Sequence, residues 1–246
     1  MIAVPAWPPR SLPRLFVPIP LAAGTVVPLD PAQANYLGNV MRLGVAAEVL
    51  LFDGASGEWL AHVAEVGKKS MLLIVERQTR SAEVLPDLWL AFAPVKRGPV
   101  EWLVEKATEL GAARLMPVTT RRTVVERLRL DRLRTIAIEA AEQCGRTVLP
   151  TIDAPVTLDA FLQARDAGRT LYFADETGGA PVAAELQPGP AALLVGPEGG
   201  FTAEERATIR GAPEVVAISL GPRILRAETA ALAAVTAYMA LAGDWR

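Results

Sequence analysis

The stretch "LLVGPEGGF", Leu193 to Phe201, sets a proline and three glycines directly behind a short apolar run. "AALLVG", Ala191 to Gly196, reads as a buried strand, and a glycine-rich turn behind a strand lets the backbone approach something closely, either a ligand or another segment. Thr202 and Glu205 in "FTAEERATIRG" hold the S/T-x-x-E spacing of a capping box, so a helix is predicted immediately after the turn. Strand, glycine turn and helix in that order are where an α/β fold places phosphate or nucleotide groups.

Neither common nucleotide loop is present. No lysine followed by Ser or Thr closes the turn, as a P-loop requires, and Gly196, Gly199 and Gly200 are not spaced as G-x-G-x-x-G. A second turn in "SLGPRILRAETAAL", Ser219 to Leu232, repeats the arrangement one strand later. There Gly221-Pro222 ends the strand "EVVAISLG", Glu214 to Gly221, and a helix from about Arg226 to Leu241 follows. Two such turns on consecutive strands are expected to meet at the carboxyl edge of one sheet. They would form a pocket mainly of backbone, suited to a ligand read through N–H and C=O such as an adenine edge. Either turn alone is equally a tight connection that uses glycine for positive φ and proline for rigidity. The embedded charges, Glu198 in the first and Arg223, Arg226 and Glu228 in the second, favour a site, because charge at a strand end is costly to desolvate unless something uses it.

Working outward, strands alternate with helices from about Ala82, the pattern of a largely parallel sheet. "LWLAFAPV" (Leu88 to Val95) precedes a helix in which Val100, Leu103, Val104, Ala107 and Leu110 share one face and Gly111 closes the end. "ARLMPV" follows, then helices over about Asp131 to Cys144 and Leu158 to Ala167, and the strand "RTLYFADE", Arg169 to Glu176. The front is different. "RLFVPI" (Arg14 to Ile19), "AEVLLFDG" (Ala47 to Gly54), "EWLAHVAEV" (Glu58 to Val66) and "SMLLIVERQ" (Ser70 to Gln78) are β-like, separated by turn signals, and predict a small barrel or sandwich with one helix in Asp30 to Leu43. The boundary is expected within Arg77 to Asp87, and "MIAVPAWPPR" reads as a loose tail.

With 246 residues, 51% apolar, and a formal charge of -2, overall charge does not advertise a nucleic-acid partner, so any basic surface is local. "RRTVVERLRLDRLR", Arg121 to Arg134, supplies one, with six arginines against two acids. The guanidinium fork suits phosphate, although the same run also fits a solvated face of an amphipathic helix. A single cysteine, Cys144, and a single histidine, His62, exclude an internal disulfide, predict no metal site, and suggest an intracellular, reducing compartment. Thr229 to Gly243, the longest uncharged, apolar-rich helical stretch, is shorter than the roughly 20 residues a bilayer span needs, so no membrane is expected. His62 reads as an ordinary strand residue and Cys144 as a small buried one.

"LLVGPEGGFTAEE" followed by "SLGPRILRAETAALAA", with "EKATELG" (Glu105 to Gly111) and "EAAEQCGR" (Glu139 to Arg146) upstream, resembles the RsmE-type ribosomal RNA methyltransferases of the SPOUT class over almost the whole chain. The resemblance implies an α/β fold in which a SPOUT methyltransferase domain, residues 81–246, is tied in a deep trefoil knot. Before it would stand a PUA-like β-barrel RNA-binding domain, residues 13–80, and a flexible tail, residues 1–12. It further implies S-adenosylmethionine as cofactor, 16S rRNA or the small ribosomal subunit as partner, a homodimer through the knotted domain, and a cytoplasmic location. By position, the cofactor pocket would take Leu194, Val195, Gly196, Pro197, Glu198, Gly199 and Gly200 from the first turn. Ser219, Leu220, Gly221, Ile224, Leu225 and Arg226 would come from the second, with Thr229 and Ala230 as its floor. Arg14, Arg42, Arg121, Arg122 and Arg146 are the RNA-binding candidates. In "NYLGNVMRL" the chain departs from the family, carrying Asn35 and Tyr36 where members commonly have histidine and keeping only Arg42.

The reaction so implied is methylation of a uridine at N3. That nitrogen carries a proton, so the site must offer an acceptor, a cation for the charge spreading over O2 and O4, or both. Arg223 and Arg226 are candidates for the cation and for positioning the base, and Glu198 for the acceptor, directly or through water. The structural alternatives are an Arg226 that pairs with Glu228 at the helix start and a Glu198 that caps its turn. Two other functions fit the chain: a methyltransferase of the same class with another RNA target, and a non-catalytic RNA-binding assembly factor. A pure binder would have no need of the paired glycine turns.

Overall fold

Alternation of apolar and polar residues builds the first sheet. The computed structural model describes residues 12–95, 97–124 and 128–245, with the backbone alone at Arg97; the expected tail therefore lies, but for its last residue, outside the described residues. Strands β1 (Arg14–Phe16), β2 (Val26–Pro28), β3 (Glu48–Phe52), β4 (Glu58–Val66) and β5 (Met71–Arg80) form a five-stranded sheet in the order β1-β3-β4-β5-β2. All its pairings are antiparallel except β1 with β3. Every second residue points to one core, with Val49, Leu51, Ala61, Val63, Leu73 and Val75 almost completely buried. The sequence reading missed β2, which is three residues long and ends on a proline. The single helix expected over Asp30 to Leu43 is instead α1 (Pro31–Asn35), capped by Asp30, followed by a π-helical turn at Tyr36–Val40. Only Ala34 and Leu37 of these two elements are buried, too narrow a stripe to hold a longer helix.

The described chain divides into two compact units, one ending at Glu83 and taking in Gly145–Val148, the other holding Val84–Cys144 and the chain from Leu149. The second unit is an α/β sheet of eight strands: β6 (Leu88–Phe92), β7 (Arg114–Thr119), β8 (Thr151–Ile152), β9 (Val156–Thr157), β10 (Thr170–Ala174), β11 (Ala180–Pro181), β12 (Ala191–Val195) and β13 (Val215–Ser219). Their order is β11-β13-β10-β12-β6-β7-β8, with β9 also on β7, and every pairing is parallel. Helices α2 (Arg97–Glu109), α3 (Leu130–Cys144), α4 (Leu158–Ala164), α5 (Val182–Glu185), α6 (Ala203–Gly211) and α7 (Ala227–Leu241) complete it.

Strands β6 and β12 are buried along their whole length, which is why they read as continuous apolar runs rather than alternating ones. Leu88, Leu90 and Phe92 pack with Leu103, Ile136 and Val235 of α2, α3 and α7, while Trp89 and Ala91 face Phe161 and Ile209 of α4 and α6. The capping box forms as its spacing predicts. Thr202 Oγ1 accepts the Glu205 N–H at 3.2 Å, and Glu205 Oε2 accepts the Thr202 N–H at 2.9 Å. Among the described residues no helix is long and apolar enough to cross a membrane.

Candidate functional site

Parallel register brings the carboxyl ends of β10, β12 and β13 level: Phe173 pairs with both Leu194 and Ala217, and Ala174 with Ile218. The chain leaving each strand therefore enters the same space. Residues 174–178 after β10, 195–200 after β12 and 218–225 after β13, with Ala227 and Ala230 of α7, enclose a cavity of about 410 Å³. That is the size of a small-molecule site, and such sites favour this edge of a parallel sheet.

Two of the three glycines of the first turn are required by their surroundings. A Cβ on Gly196 would stand 2.6 Å from Cε2 of Phe201, whose buried ring meets Phe173 edge-on at 5.2 Å. Gly200 has φ 66, and a Cβ there would lie 2.4 Å from Oε1 of Glu176. The second turn has a different property. Gly221 has φ 108, and its N–H makes only a long 3.4 Å contact to Ser219 Oγ. Among the described residues, the backbone N–H groups of Leu220, Arg223, Ile224 and Leu225 donate to no protein group. Such donors must bond water or a ligand. Helix α7 begins directly behind them, with Arg226 as an N-cap whose side chain makes no cap bond, so the positive end of its dipole adds to the attraction for an anionic or electron-rich group. Ile224 is 90% exposed beside the same cavity.

Of the pocket residues expected from sequence, Val195 to Gly200, Ser219 to Gly221, Ile224, Leu225 and Ala230 line this cavity, as does Arg223. Leu194 does not; it is fully buried in the core beneath α4 and α6. Arg226 and Thr229 are exposed and outside the lining, and no ion pair joins Arg226 to Glu228 among the described residues. Glu198 is exposed, and its side chain caps no turn among the described residues.

The sequence reading overlooked the third wall, Ala174 to Gly178. Asp175 is its anchor. The carboxylate accepts the Thr177 N–H at 2.9 Å, the Thr177 hydroxyl at 2.7 Å and the Arg210 guanidinium at 2.7 Å. Burial works to raise its pKa, but these bonds to Thr177 and Arg210 more than offset that and hold the carboxyl below its ordinary value. Glu176 pairs with Arg206 of α6. The overlooked signal was the glycine pair in "FADETGG" behind a third strand.

Two of the five RNA-binding candidates need correction. Arg14 and Arg146 are 7% and 5% exposed, and their guanidinium groups are turned inward. Arg14 Nε meets Glu58 Oε2 at 2.7 Å and Arg14 Nη2 donates to the Arg146 carbonyl at 2.9 Å, while Arg146 Nε donates to the Val148 carbonyl at 3.0 Å. No phosphate reaches groups so enclosed. Arg42 is exposed, at φ 57 just beyond the π-helical turn, and Arg121 and Arg122 are exposed on the turn after β7. Of the remaining arginine-rich run, residues 125–127 lie outside the described residues. Arg132 lies 3.8 Å from Glu101 and 3.9 Å from Glu139, which leaves less positive charge than the residue count suggests.

The remaining residues of the quoted segments resolve locally. His62 Nδ1 lies 2.7 Å from Glu76 Oε1 across β4 and β5. Lys106 bridges Glu105 and Glu109, and the Thr108 hydroxyl donates to the Val104 carbonyl within α2. Cys144, expected to be buried, is exposed where α3 ends at Gly145 with φ 87. Glu142 and Gln143 do not line the cavity. The described residues contain no group of three metal-ligating side chains.

A family model for an RNA methyltransferase domain matches residues 83–239, and one for an RNA methyltransferase PUA domain matches residues 29–76. The chain is 30% identical to "Ribosomal RNA small subunit methyltransferase E" of Rickettsia conorii, covering 90% of this chain and 93% of that one. It is 33% identical to the protein of the same name from a Synechocystis species, over 93% and 77%. Among solved structures, the Neisseria gonorrhoeae ribosomal RNA small subunit methyltransferase E bound to S-adenosyl methionine superposes with a TM-score of 0.87 at 28% identity, covering 96% of this chain and 100% of that one. A Legionella pneumophila protein with the cofactor SAM bound superposes with a TM-score of 0.85 at 31% identity, over 95% and 99%.

Proposed function

The chain belongs to the RNA methyltransferase family, and from that premise we propose that it transfers the methyl group of S-adenosylmethionine to N3 of a uridine in 16S rRNA. The observation that carries the proposal is the cavity at the ends of β10, β12 and β13, walled by close-approaching glycines and by a run of backbone donors the protein does not use. These features suit the cofactor. Bare amides of Leu220, Arg223, Ile224 and Leu225 match an adenine edge and a carboxylate, and the carboxylate of Glu176 on the cavity wall suits a molecule carrying a sulfonium and an ammonium. When bound, the cofactor supplies a methyl group on a positively charged sulfur.

What the protein must add is position and charge. In this proposal Glu198, on the cavity wall, accepts the N3 proton directly or through one water. Arg223 on the wall and Arg226 beside it face the negative charge that then spreads over O2 and O4. Arg42, Arg121 and Arg122 hold the RNA backbone through their exposed guanidinium groups.

The proposal extends to organisation. In it, residues 13–80 are a PUA-like β-barrel RNA-binding domain and 81–246 a SPOUT domain whose chain is tied in a trefoil knot, working in the cytoplasm; the family matches to residues 29–76 and 83–239 support the two-domain division. It acts as a homodimer through the knotted domain. Exposed Trp102 on α2, with Leu241 and Trp245 at the end of α7, supports an apolar contact there, since α2 and α7 pack side by side. The test is methyl transfer from labelled S-adenosylmethionine to small subunits lacking the modification, with the labelled nucleoside identified by mass spectrometry. Label in 3-methyluridine is the expected result. Label in another nucleoside overturns the target, and cofactor binding without transfer would favour the non-catalytic reading.

A further inference from the structure

The turn after β7 touches the cofactor side of the sheet as well as facing solvent. Thr120 and Thr123 close it, with the Thr120 N–H on Thr123 Oγ1 at 2.9 Å and the Thr123 N–H on the Thr120 carbonyl at 3.1 Å. Glu205, 7% exposed, anchors it: one carboxylate oxygen accepts the Arg121 N–H at 2.7 Å while the other serves the capping box at the start of α6. From this fixed base the Arg122 side chain lies across the first glycine turn. Its Nη1 donates to the Gly199 carbonyl at 2.6 Å, and a Cβ on Gly199 would stand 3.4 Å from Arg122 Cδ and 3.5 Å from its Cβ.

Gly199 borders the cavity and Arg122 does not. One edge of the guanidinium is therefore spent on the wall of the site, while Arg122 as a whole is exposed and makes no other side-chain hydrogen bond among the described residues, its charge shared only through space with the exposed Glu204 carboxylate. A guanidinium has five N–H donors in a rigid plane, so a second acceptor can be held without releasing the first.

We propose that Arg122 is a positioning residue for the methyl-donor site: it holds the peptide between Gly199 and Gly200 in place, and its outward donors take a phosphate of the RNA, coupling substrate binding to the cofactor turn. The inference rests on the cofactor reading given above. It separates Arg122 from Arg121, whose link to Glu205 is made by its backbone and survives loss of the side chain.

The experiment is calorimetric titration of S-adenosylmethionine into the full chain with no RNA present, for wild type, Arg122→Ala, Arg122→Met, Arg122→Lys and Arg121→Ala. Thermal unfolding of each is measured without ligand. Removing the donor should raise the cofactor Kd by about five- to twenty-fold, the scale of one charge-assisted hydrogen bond. Met keeps the stem over Gly199 and should behave as Ala does, so it decides the matter if Ala does not fold. Lys restores a donor and should recover most of the affinity, which a purely structural contact would not require. Arg121→Ala should stay within about two-fold of wild type. In methyl transfer, KM for cofactor and for subunits should both rise for Arg122→Met, and only KM for subunits for Arg121→Ala. A Kd for Arg122→Ala or Arg122→Met within about two-fold of wild type overturns the proposal and leaves the cofactor site intact. Wild type that binds no cofactor would instead bring down the site assignment, and this inference with it.

Discussion

The ring of Phe201 occupies the place a side chain on residue 196 would take, its Cε2 lying 2.6 Å from where a Gly196 Cβ would be. Phe201 is fully buried and braced by Phe173, so it has no room to swing aside. Gly196→Ala should therefore cost about 1–3 kcal/mol, as other overpacked cores do, and should weaken cofactor binding as well because residue 196 is part of the cavity wall. Denaturant unfolding and calorimetry on the same sample check both. Wild-type stability in the variant would mean that Phe201 is not the constraint.

Asp175 should tie the third wall of the cavity to α6. Asp175→Asn keeps the shape but loses the ion pair with Arg210, and is expected to lower stability by about 1–3 kcal/mol. Because the folded-state carboxyl lies below its ordinary 3.8, this contribution is fully present above that value and fades as pH falls toward the folded value. The gap between wild type and variant should stay level from about pH 5 to 8 and narrow below about pH 4. Urea midpoints across that range provide the readout, and a gap that widens on acidification contradicts the assignment.

Arg14 should act on stability. With Glu58 only 4% exposed, Arg14→Ala strips one of two guanidinium partners from a buried carboxylate, and a loss of about 2–4 kcal/mol is expected. Burial pushes the Glu58 carboxyl up, but hydrogen bonds from Arg80 and Arg14 bring it below its ordinary value. The acid limb of the stability curve should accordingly be shallower in Glu58→Gln than in wild type. Thermal melts of both variants at matched pH test this, and an Arg14→Ala protein as stable as wild type would return the residue to the list of RNA contacts.

Glu198→Gln separates chemistry from binding. Loss of a proton acceptor typically lowers turnover by about 10²–10⁴-fold, whereas cofactor Kd should change little. Single-turnover transfer with saturating cofactor is the measurement, and unchanged turnover removes Glu198 from the mechanism. Arg226→Ala, outside the cavity lining, should likewise reduce transfer more than cofactor affinity, while Arg223→Ala should affect both.

Features encoded within a few residues were readable before the structure: the Thr202–Glu205 box, the apolar runs of β6 and β12, the helical stripe of α2, and the two glycine turns. Features encoded by pairing at a distance were not. Nothing near Tyr172 announces that β10 enters between β12 and β13, so a cavity expected to have two walls has three. Arg14 and Arg146 look like any other arginine until Glu58 and the surrounding chain enclose one and bury the other. Strand β2 is too short for a period to register, and α1 changes hydrogen-bonding pattern at Tyr36 without a breaker residue at the junction.

The strand order also sets a timetable. Strand β6 lies between β7 and β12, so one of its hydrogen-bonding edges waits for a partner that begins at Ala191, well over a third of the chain later. During synthesis the front unit and the β6–β7 pair emerge before any wall of the cavity exists, and the last wall appears only with residues 218–225. Every contact closing the site is thus long-range and late, the kind that folds slowly and leaves apolar strand edges open in the interval. A nascent chain stopped short of Val215 would hold a nearly complete sheet and no usable site, and its unpaired β10 edge would be the place where premature association begins.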